Sequence, residues 1–169
     1  MANLIRKNVY FSFILTILRL YLGLQWIQAG WGKMTGNFDA SGFLISAVKQ
    51  STGEHPSVQT WWADFLKCLV VPNIDLFNLL VPWGEFLVGI GLILGTFTTF
   101  SALMGFVMNF SYMFSGATST NPQMVLIEIV IMIAGFNSGK IGLDRWIIPL
   151  IKKKVLLLKR QKTFDIDAA

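Results

Sequence analysis

Apolar residues fall into four long runs along the chain, and short polar segments or a long loop separate them. The runs cover about residues 10–31, 79–97, 100–116 and 121–137. Runs of about 20 apolar residues match the roughly 30 Å hydrocarbon core of a bilayer. A segment in lipid must also satisfy its own backbone hydrogen bonds, which a helix does. The pattern therefore predicts an all-α integral membrane protein, a bundle of four transmembrane helices.

The long loop between the first two runs, residues 32–78, has an amphipathic pattern of its own. Asn37 and Asp39 are suitable N-cap residues for a short helix with one apolar face. A second short helix is predicted after Ser57, with tryptophans on its apolar face, and Pro72 is expected to end it. Tryptophans on short amphipathic helices are typical of the membrane interface. The loop is expected either to seal the bundle or to gate it.

Glycines in the second run indicate close contact between helices. Gly91 and Gly95 form a GxxxG motif, which lets the backbone of a neighbouring helix approach closely. The face that carries these two glycines is therefore predicted to pack against another helix.

Basic residues predict the orientation in the membrane. Eight of the 14 Lys and Arg residues lie from Lys140 onward, Arg6 and Lys7 precede the first run, and the long loop is slightly acidic. Because Lys and Arg concentrate in cytoplasmic flanks, both termini are expected on the cytoplasmic side of the membrane and the long loop on the outer side. The chain divides into a membrane domain, residues 1–150, and a basic cytoplasmic tail, residues 151–169. The tail lacks a nucleic-acid reader motif, so lipid head groups are its expected partner.

The chain has one cysteine, Cys68, and one histidine, His55, and this limits its own redox chemistry. A single cysteine forms neither an internal disulfide nor a CxxC centre. A single histidine excludes a bis-histidine haem, and the sequence contains no Cys/His cluster with metal-binding spacing. No metal or covalently bound cofactor is expected, and electrons would come from a diffusible cofactor or a partner's cofactor.

Three ionisable residues lie inside the apolar runs: Arg19, Glu85 and Glu128. A charge at bilayer depth costs roughly 3 kcal/mol on insertion scales, so such residues usually face the interior of a bundle. At a rise of about 1.5 Å per residue, Arg19 is near the midplane and both glutamates are about 9 Å below the outer surface. Gln25 and Asn109 add polar groups at similar depths. Two interpretations remain open: a structural network that specifies helix pairing, or a polar pocket for a head group or proton-carrying ligand.

Several stretches of the sequence resemble the DoxX/DoxD family of small bacterial membrane proteins. They are LRLYLGLQWIQAGWGK, PWGEFLVGIGLILGTFT, MNFSYMFSG, NPQ and FNSGKIGLDRW, and the resemblance covers roughly residues 8–150. It implies a four-helix membrane protein. Some members are the small subunit of thiosulfate:quinone oxidoreductase, and others are linked to membrane-associated oxidoreductase complexes that handle thiol or oxidative stress. Arg19 and Glu85 match the family's charged positions.

This resemblance implies a membrane subunit of a quinone-linked oxidoreductase complex, with quinone or a small ligand in a polar pocket within the bundle. In this hypothesis Arg19 holds a quinone carbonyl, and Glu85 or Glu128 exchanges the proton. Trp26 or Trp83 lines the entrance. The candidate pocket residues are Arg19, Gln25, Trp26, Trp83, Glu85, Asn109 and Glu128.

A soluble or peripheral redox partner protein is expected to supply the electrons, and the chain is a candidate for self-association into a homo-oligomer. Whether it catalyses a reaction itself stays open at this point. The alternatives are a non-catalytic membrane anchor or assembly factor, and a carrier for a small or lipid-like molecule.

Overall fold

The computed structural model describes residues 2–167, with side chains for residues 5–158, and within this part of the chain every regular element is a helix. The α-helices are α1 (Ala2–Lys7), α2 (Val9–Thr35), α3 (Ser41–Lys49), α4 (Thr60–Phe65), α5 (Ile74–Leu94), α6 (Thr98–Phe114), α7 (Asn121–Ala134), α8 (Phe136–Gly139) and α9 (Asp144–Asp167). The prediction of an all-α fold is confirmed.

The four apolar runs correspond to α2, α5, α6 and α7, which pack around a common apolar core. That core includes Leu22, Trp26, Leu92, Ala102 and Ile131. Within the described part of the chain, two helices are long and apolar enough to cross a membrane, Val9–Thr35 and the continuous helical stretch Thr60–Leu94. α6 and α7 are shorter, with 17 and 14 residues.

The second half of the predicted loop is a helical extension of α5. α4 continues through a π-helical turn (Leu66–Val70) and a 3-10 turn (Val71–Asn73) directly into α5. The prediction that Pro72 ends the helix is therefore wrong. Pro72 lies at the start of the 3-10 turn, where its missing N–H is tolerated because the first positions of a helix have no intrahelical acceptor.

α3 confirms the predicted short helix after Asp39. The Asp39 carboxylate accepts hydrogen bonds from the backbone N–H of Ser41 at 3.0 Å and from its hydroxyl at 2.7 Å. Asn78 of α5 donates to the same carboxylate at 3.2 Å and accepts from the Ala40 N–H at 2.9 Å. These hydrogen bonds, the Ser41 hydroxyl foremost, hold the pKa of Asp39 below its usual value. α3 is thereby fixed to the start of α5.

Glycines bring α2 and α5 into backbone contact. A Cβ on Gly30 would lie 2.6 Å from the Phe86 nitrogen, and one on Gly89 would lie 2.8 Å from the Gly23 oxygen. The two predicted glycines have different neighbours, since Gly91 faces Ser101 of α6 and Gly95 faces the Arg19 guanidinium. Both glycines of the GxxxG motif are therefore buried against neighbouring residues. The close approach of α2 and α5, however, depends on Gly30 and Gly89.

The segment after α7 ties together the opposite end of the bundle. Asp144 accepts from the Phe97 and Thr98 N–H groups at 2.7 and 2.8 Å, and so caps the start of α6. Asn137 accepts from the Ser12 hydroxyl at 2.7 Å and donates to the Ile5 carbonyl at 2.7 Å. α9 then runs as one helix across residues 150 and 151, and the side chains of residues 150–158 are exposed.

Candidate functional site

Glu85 of α5 lies at the centre of a compact polar cluster. Its side chain is 1% exposed, and the Lys33 amine lies 2.6 Å from both carboxylate oxygens. The Tyr112 hydroxyl donates to Oε1 at 2.6 Å. The buried carboxylate therefore has one cationic and one neutral hydrogen-bond donor as partners.

Lys33 reaches Glu85 from the last turn of α2. A lysine at a helix C-terminus interacts favourably with the helix dipole, and its long apolar stem lets the amine reach a polar group some distance away. The amine also lies 5.7 Å from the ring centroid of Phe38 and 5.6 Å from that of Tyr112. Two aromatic faces and a carboxylate therefore surround the cation.

Glu128 of α7 has a separate set of partners in the same half of the bundle. It is fully buried, and both of its oxygens accept from the Asn109 amide nitrogen, at 2.9 and 3.0 Å. The Trp26 indole N–H donates to Oε1 at 3.1 Å. Gly105 makes room for this arrangement, because a Cβ there would lie 2.6 Å from Glu128 Oε1 and 2.9 Å from Trp26 Nε1. Among the described side chains, no cation forms an ion pair with Glu128.

Two cavities meet at the Glu85 cluster. The polar cavity has a volume of about 240 Å³ and is lined by Gln25, Trp26, Ala29, Lys33, Glu85, Asn109, Tyr112, Thr120, Asn121 and Met124. The apolar cavity has a volume of about 640 Å³. It is lined by Lys33, Phe38, Ala40, Phe43, Leu44, Trp62, Phe65, Leu66, Val70, Phe77, Leu80, Val81, Val107, Met108, Ser111, Tyr112, Ser115 and Ala117. Lys33 and Tyr112 line both cavities, so the two cavities adjoin at these side chains.

The helical extension before α5 covers part of the apolar cavity. Trp62 of α4 lines this cavity, and its indole N–H donates to the Ser115 hydroxyl at the end of α6 at 2.8 Å. Trp62 also packs against Phe114, with ring centroids 5.5 Å apart. Trp62 of the predicted interfacial helix thus holds one wall of the cavity against α6.

The structure brings together five of the seven residues named from the sequence. Gln25, Trp26, Glu85 and Asn109 line the polar cavity, and Glu128 accepts hydrogen bonds from two of them, Asn109 and Trp26.

Arg19 and Trp83 lie elsewhere. Arg19 is buried and donates to the Ile141 carbonyl at 2.8 Å, beside Gly95. Ten residues of α5 separate Gly95 from Glu85, a distance of about 15 Å along the helix axis. Gly95 ends α5 in the left-handed conformation, with a φ of 65°, and its missing side chain leaves space for the guanidinium. Trp83 is 46% exposed and packs against Phe86 on the outer face of α5.

Two members of the cluster, Lys33 and Tyr112, were not singled out by the sequence. The signal for them is helical spacing. Lys33 is seven residues after Trp26 on α2, and Tyr112 is three residues after Asn109 on α6, so each shares a face with a named residue. The sequence pattern places Lys33 in the loop because it predicts that the first helix ends at residue 31, whereas α2 continues to Thr35.

The comparisons with known proteins give one match. The DoxX family model matches residues 14–117, more than half of the chain. This span contains Lys33, Glu85, Asn109 and Tyr112, and it ends before Glu128. Neither the curated proteins nor the solved structures gave a match to this chain. The matched span confirms the resemblance carried by the sequence motifs, and the chain belongs to the DoxX family of membrane proteins.

Proposed function

We propose that the protein is the membrane subunit of a quinone-linked oxidoreductase complex, and that it binds quinone or a similar amphiphile where the two cavities meet. The head group occupies the polar cavity and the hydrocarbon part occupies the apolar one. The observation that carries this proposal is the shared lining: Lys33 and Tyr112 line both cavities. A volume of about 640 Å³ falls within the roughly 300–1,000 Å³ typical of small-molecule sites, whereas about 240 Å³ suits a head group alone.

The proposal includes a topology of four membrane spans, α2, α5, α6 and α7, in a bacterial plasma membrane with both termini in the cytoplasm. Large exposed apolar side chains support spans for the two shorter helices. Phe100 and Leu103 on α6 are exposed, as are Leu126 and Ile133 on α7. A lipid environment accounts for such faces, since in water they would be unfavourable patches. The basic flanks at both ends of the chain support the orientation.

The Lys33 amine supplies a donor for a carbonyl-bearing head group. It has three N–H groups, and the two Glu85 oxygens at 2.6 Å take two of them, whereas the Tyr112 hydroxyl hydrogen is donated to Glu85. In this position Lys33 takes the role that the sequence suggested for Arg19, because it is the cation nearest to the cavities. Glu128 is a buried carboxylate held by neutral donors only, which suits a group that gains and loses a proton. Quinone, when bound, accepts electrons, and a soluble or peripheral partner protein supplies them.

The first experiment asks what the protein carries. An organic extract of the detergent-purified protein is expected to contain quinone, identified by its ultraviolet spectrum and its response to borohydride. Phospholipid without quinone would favour the carrier alternative. An extract with neither would favour the anchor or assembly role.

The second experiment asks where the ligand binds. Val107 lines the apolar cavity, whereas Leu103, one turn earlier on α6, does not, and both are exposed. Val107→Trp should reduce binding of a decyl-substituted benzoquinone at least tenfold, while the control Leu103→Trp should leave it unchanged. Equal binding by both variants would contradict the placement of the site in these cavities.

A further inference from the structure

The C-terminal helix α9 leaves the bundle with most of its surface uncovered. Its start is fixed to the end of α5, because the backbone N–H of Asp144 donates to the Gly95 carbonyl at 2.8 Å. Beyond this first turn, every side chain from residue 149 to residue 158 is exposed. The candidate site in the bundle does not use α9, so this exposed surface is available to another partner.

One side of α9 is apolar. At about 3.6 residues per turn, residues that recur at spacings of four, four and three share one stripe along a helix. The stripe consists of Ile147, Ile151, Val155 and Leu158, and Leu150 and Leu157 extend it on one flank. The stripe therefore gives α9 a continuous apolar face that the bundle does not cover.

The charges of α9 complement an acidic surface. Every charged residue between residues 145 and 158 is basic, namely Arg145, Lys152, Lys153 and Lys154. By the same helical spacing, the first three lie away from the apolar stripe, on the side that also carries Leu156. An apolar face backed by basic residues is typical of helices that lie in the interface of a membrane with acidic lipids.

The position of Lys154 favours a membrane over a second protein copy. This lysine lies within the apolar face, between the stripe and its flank. In a dry seam between two copies of α9, the two Lys154 amines and the neighbouring basic side chains would repel each other. At a membrane interface, the stem of a lysine lies along the apolar surface while its amine reaches the head groups. α9 also begins where α5, a proposed span, ends, so its start lies at a membrane surface.

We propose that α9 lies along the cytoplasmic surface of the membrane, with its apolar stripe among the lipids and its basic residues on acidic phospholipid head groups. The charge of the tail alone predicts lipid head groups as its partner. The register of α9 adds which residues enter the membrane and which face water. The proposal rests on the proposed four-span topology and is independent of what the cavities bind.

Two leucines provide a matched pair of reporter sites for the test. Leu158 lies on the apolar stripe and Leu156 on the opposite side, and they are almost equally exposed on the protein itself, at 58% and 61%. Leu158→Cys and Leu156→Cys, each in a Cys68→Ser background, carry a nitroxide spin label on the full-length protein. The protein is placed in lipid nanodiscs of phosphatidylcholine alone or of an equal mixture of phosphatidylcholine and phosphatidylglycerol. Power-saturation spectra report the accessibility of each label to oxygen, which partitions into lipid, and to a neutral nickel chelate, which stays in water.

We expect a difference between the two labels in the mixed nanodiscs only. There the label at position 158 should be about threefold less accessible to the nickel chelate than the label at position 156, and more accessible to oxygen. In phosphatidylcholine alone, the two labels should be equally accessible to the chelate. Equal accessibility in the mixed nanodiscs would overturn the proposal, and so would the same difference in both lipids, since acidic head groups would then have no role. Low accessibility of position 158 to both reagents would also overturn it, because protein would then cover the stripe.

A charge variant tests the basic residues directly. Lys152→Gln combined with Lys154→Gln should return the label at position 158 to the chelate accessibility seen in phosphatidylcholine alone. Lys49→Gln combined with Lys67→Gln removes the same charge from exposed positions outside α9 and should have no effect. Persistent protection in the α9 variant would overturn the proposal. The assay does not involve the cavities, so its failure leaves the proposed function standing.

Discussion

Replacing Lys33 with methionine should destabilise the protein, because it leaves the buried Glu85 carboxylate without its cation. Removing one partner of a buried ion pair typically costs about 3–5 kcal/mol. Two features reduce that figure here. The Lys33 side chain is 26% exposed, so water screens part of the interaction, and the Tyr112 hydroxyl still supports Glu85. We expect a loss of about 1.5–3 kcal/mol in the free energy of unfolding.

The reverse substitution should cost less. Glu85→Gln leaves a lysine at the end of α2 that can turn its amine toward water. The double variant Lys33→Met/Glu85→Gln has no uncompensated charge and should recover about 1–2 kcal/mol relative to Lys33→Met alone. Lys49→Met, at an exposed position of α3, is the matched control and should stay within about 0.5 kcal/mol of wild type.

The assay is reversible unfolding in mixed detergent micelles, with helix content followed by circular dichroism as the denaturing detergent fraction rises. A Lys33→Met variant as stable as the Lys49→Met control would refute the reasoning, since it would show that Glu85 needs no cation. Absence of any recovery in the double variant would also refute it, because the two losses would then be independent.

A double-mutant cycle on Arg19 and Glu85 tests whether these two charges interact, as the sequence predicted, or lie apart, as in the structure. The sequence placed both residues in one network, whereas about 15 Å of helix separates the Arg19 level from Glu85. Arg19→Leu and Glu85→Gln should therefore be additive within about 0.5 kcal/mol. A clear rescue of one by the other would mean that the two charges are coupled after all.

Three further predictions concern packing, capping and topology. Gly30→Ala should lower the free energy of unfolding by about 1–3 kcal/mol because its Cβ meets the α5 backbone. Gly32→Ala, with open space around it, should be neutral or slightly stabilising. Equal stability of the two variants would mean that α2 and α5 are not in backbone contact. Asp144→Ala removes the cap of α6 and should lower stability by about 1–2 kcal/mol, and a smaller loss than about 0.5 kcal/mol in the same assay would show that this cap is dispensable. In a cysteine-free background of intact cells, an impermeant thiol reagent should label Glu54→Cys but not Leu157→Cys, and the opposite pattern would reverse the proposed orientation.

The sequence predicted the helices well because their signal is local. Each apolar run has the length and continuity of a buried or lipid-facing helix, and each became one, with boundaries shifted by a few residues. The shifted helix boundaries mattered where they changed the position of a residue in the candidate site. Four extra residues at the end of α2 moved Lys33 from a loop onto the helix that faces Glu85. The predicted helix end at Pro72 fails because a proline at the start of a new turn is compatible with a helical path that continues.

The candidate site was predictable in composition but not in arrangement. Charges inside apolar runs must be buried together with partners, and this alone drew attention to Glu85 and Glu128. Which side chain pairs with each glutamate depends on the rotation of each helix about its axis and on the axial offset between neighbouring helices. Those quantities are set by packing between distant residues, such as the contact of Gly23 and Gly30 with α5.

The sequence by itself therefore determined the all-helical fold, the family and the two glutamates that are buried. The tertiary structure decided that Glu85 pairs with Lys33, that Glu128 binds Asn109 and Trp26, and that Arg19 lies beside Gly95 at another level. Hydrophobicity is additive along a chain and can be read from it. Hydrogen-bond partners must instead meet within about 3 Å, and only the packed helices fix that distance.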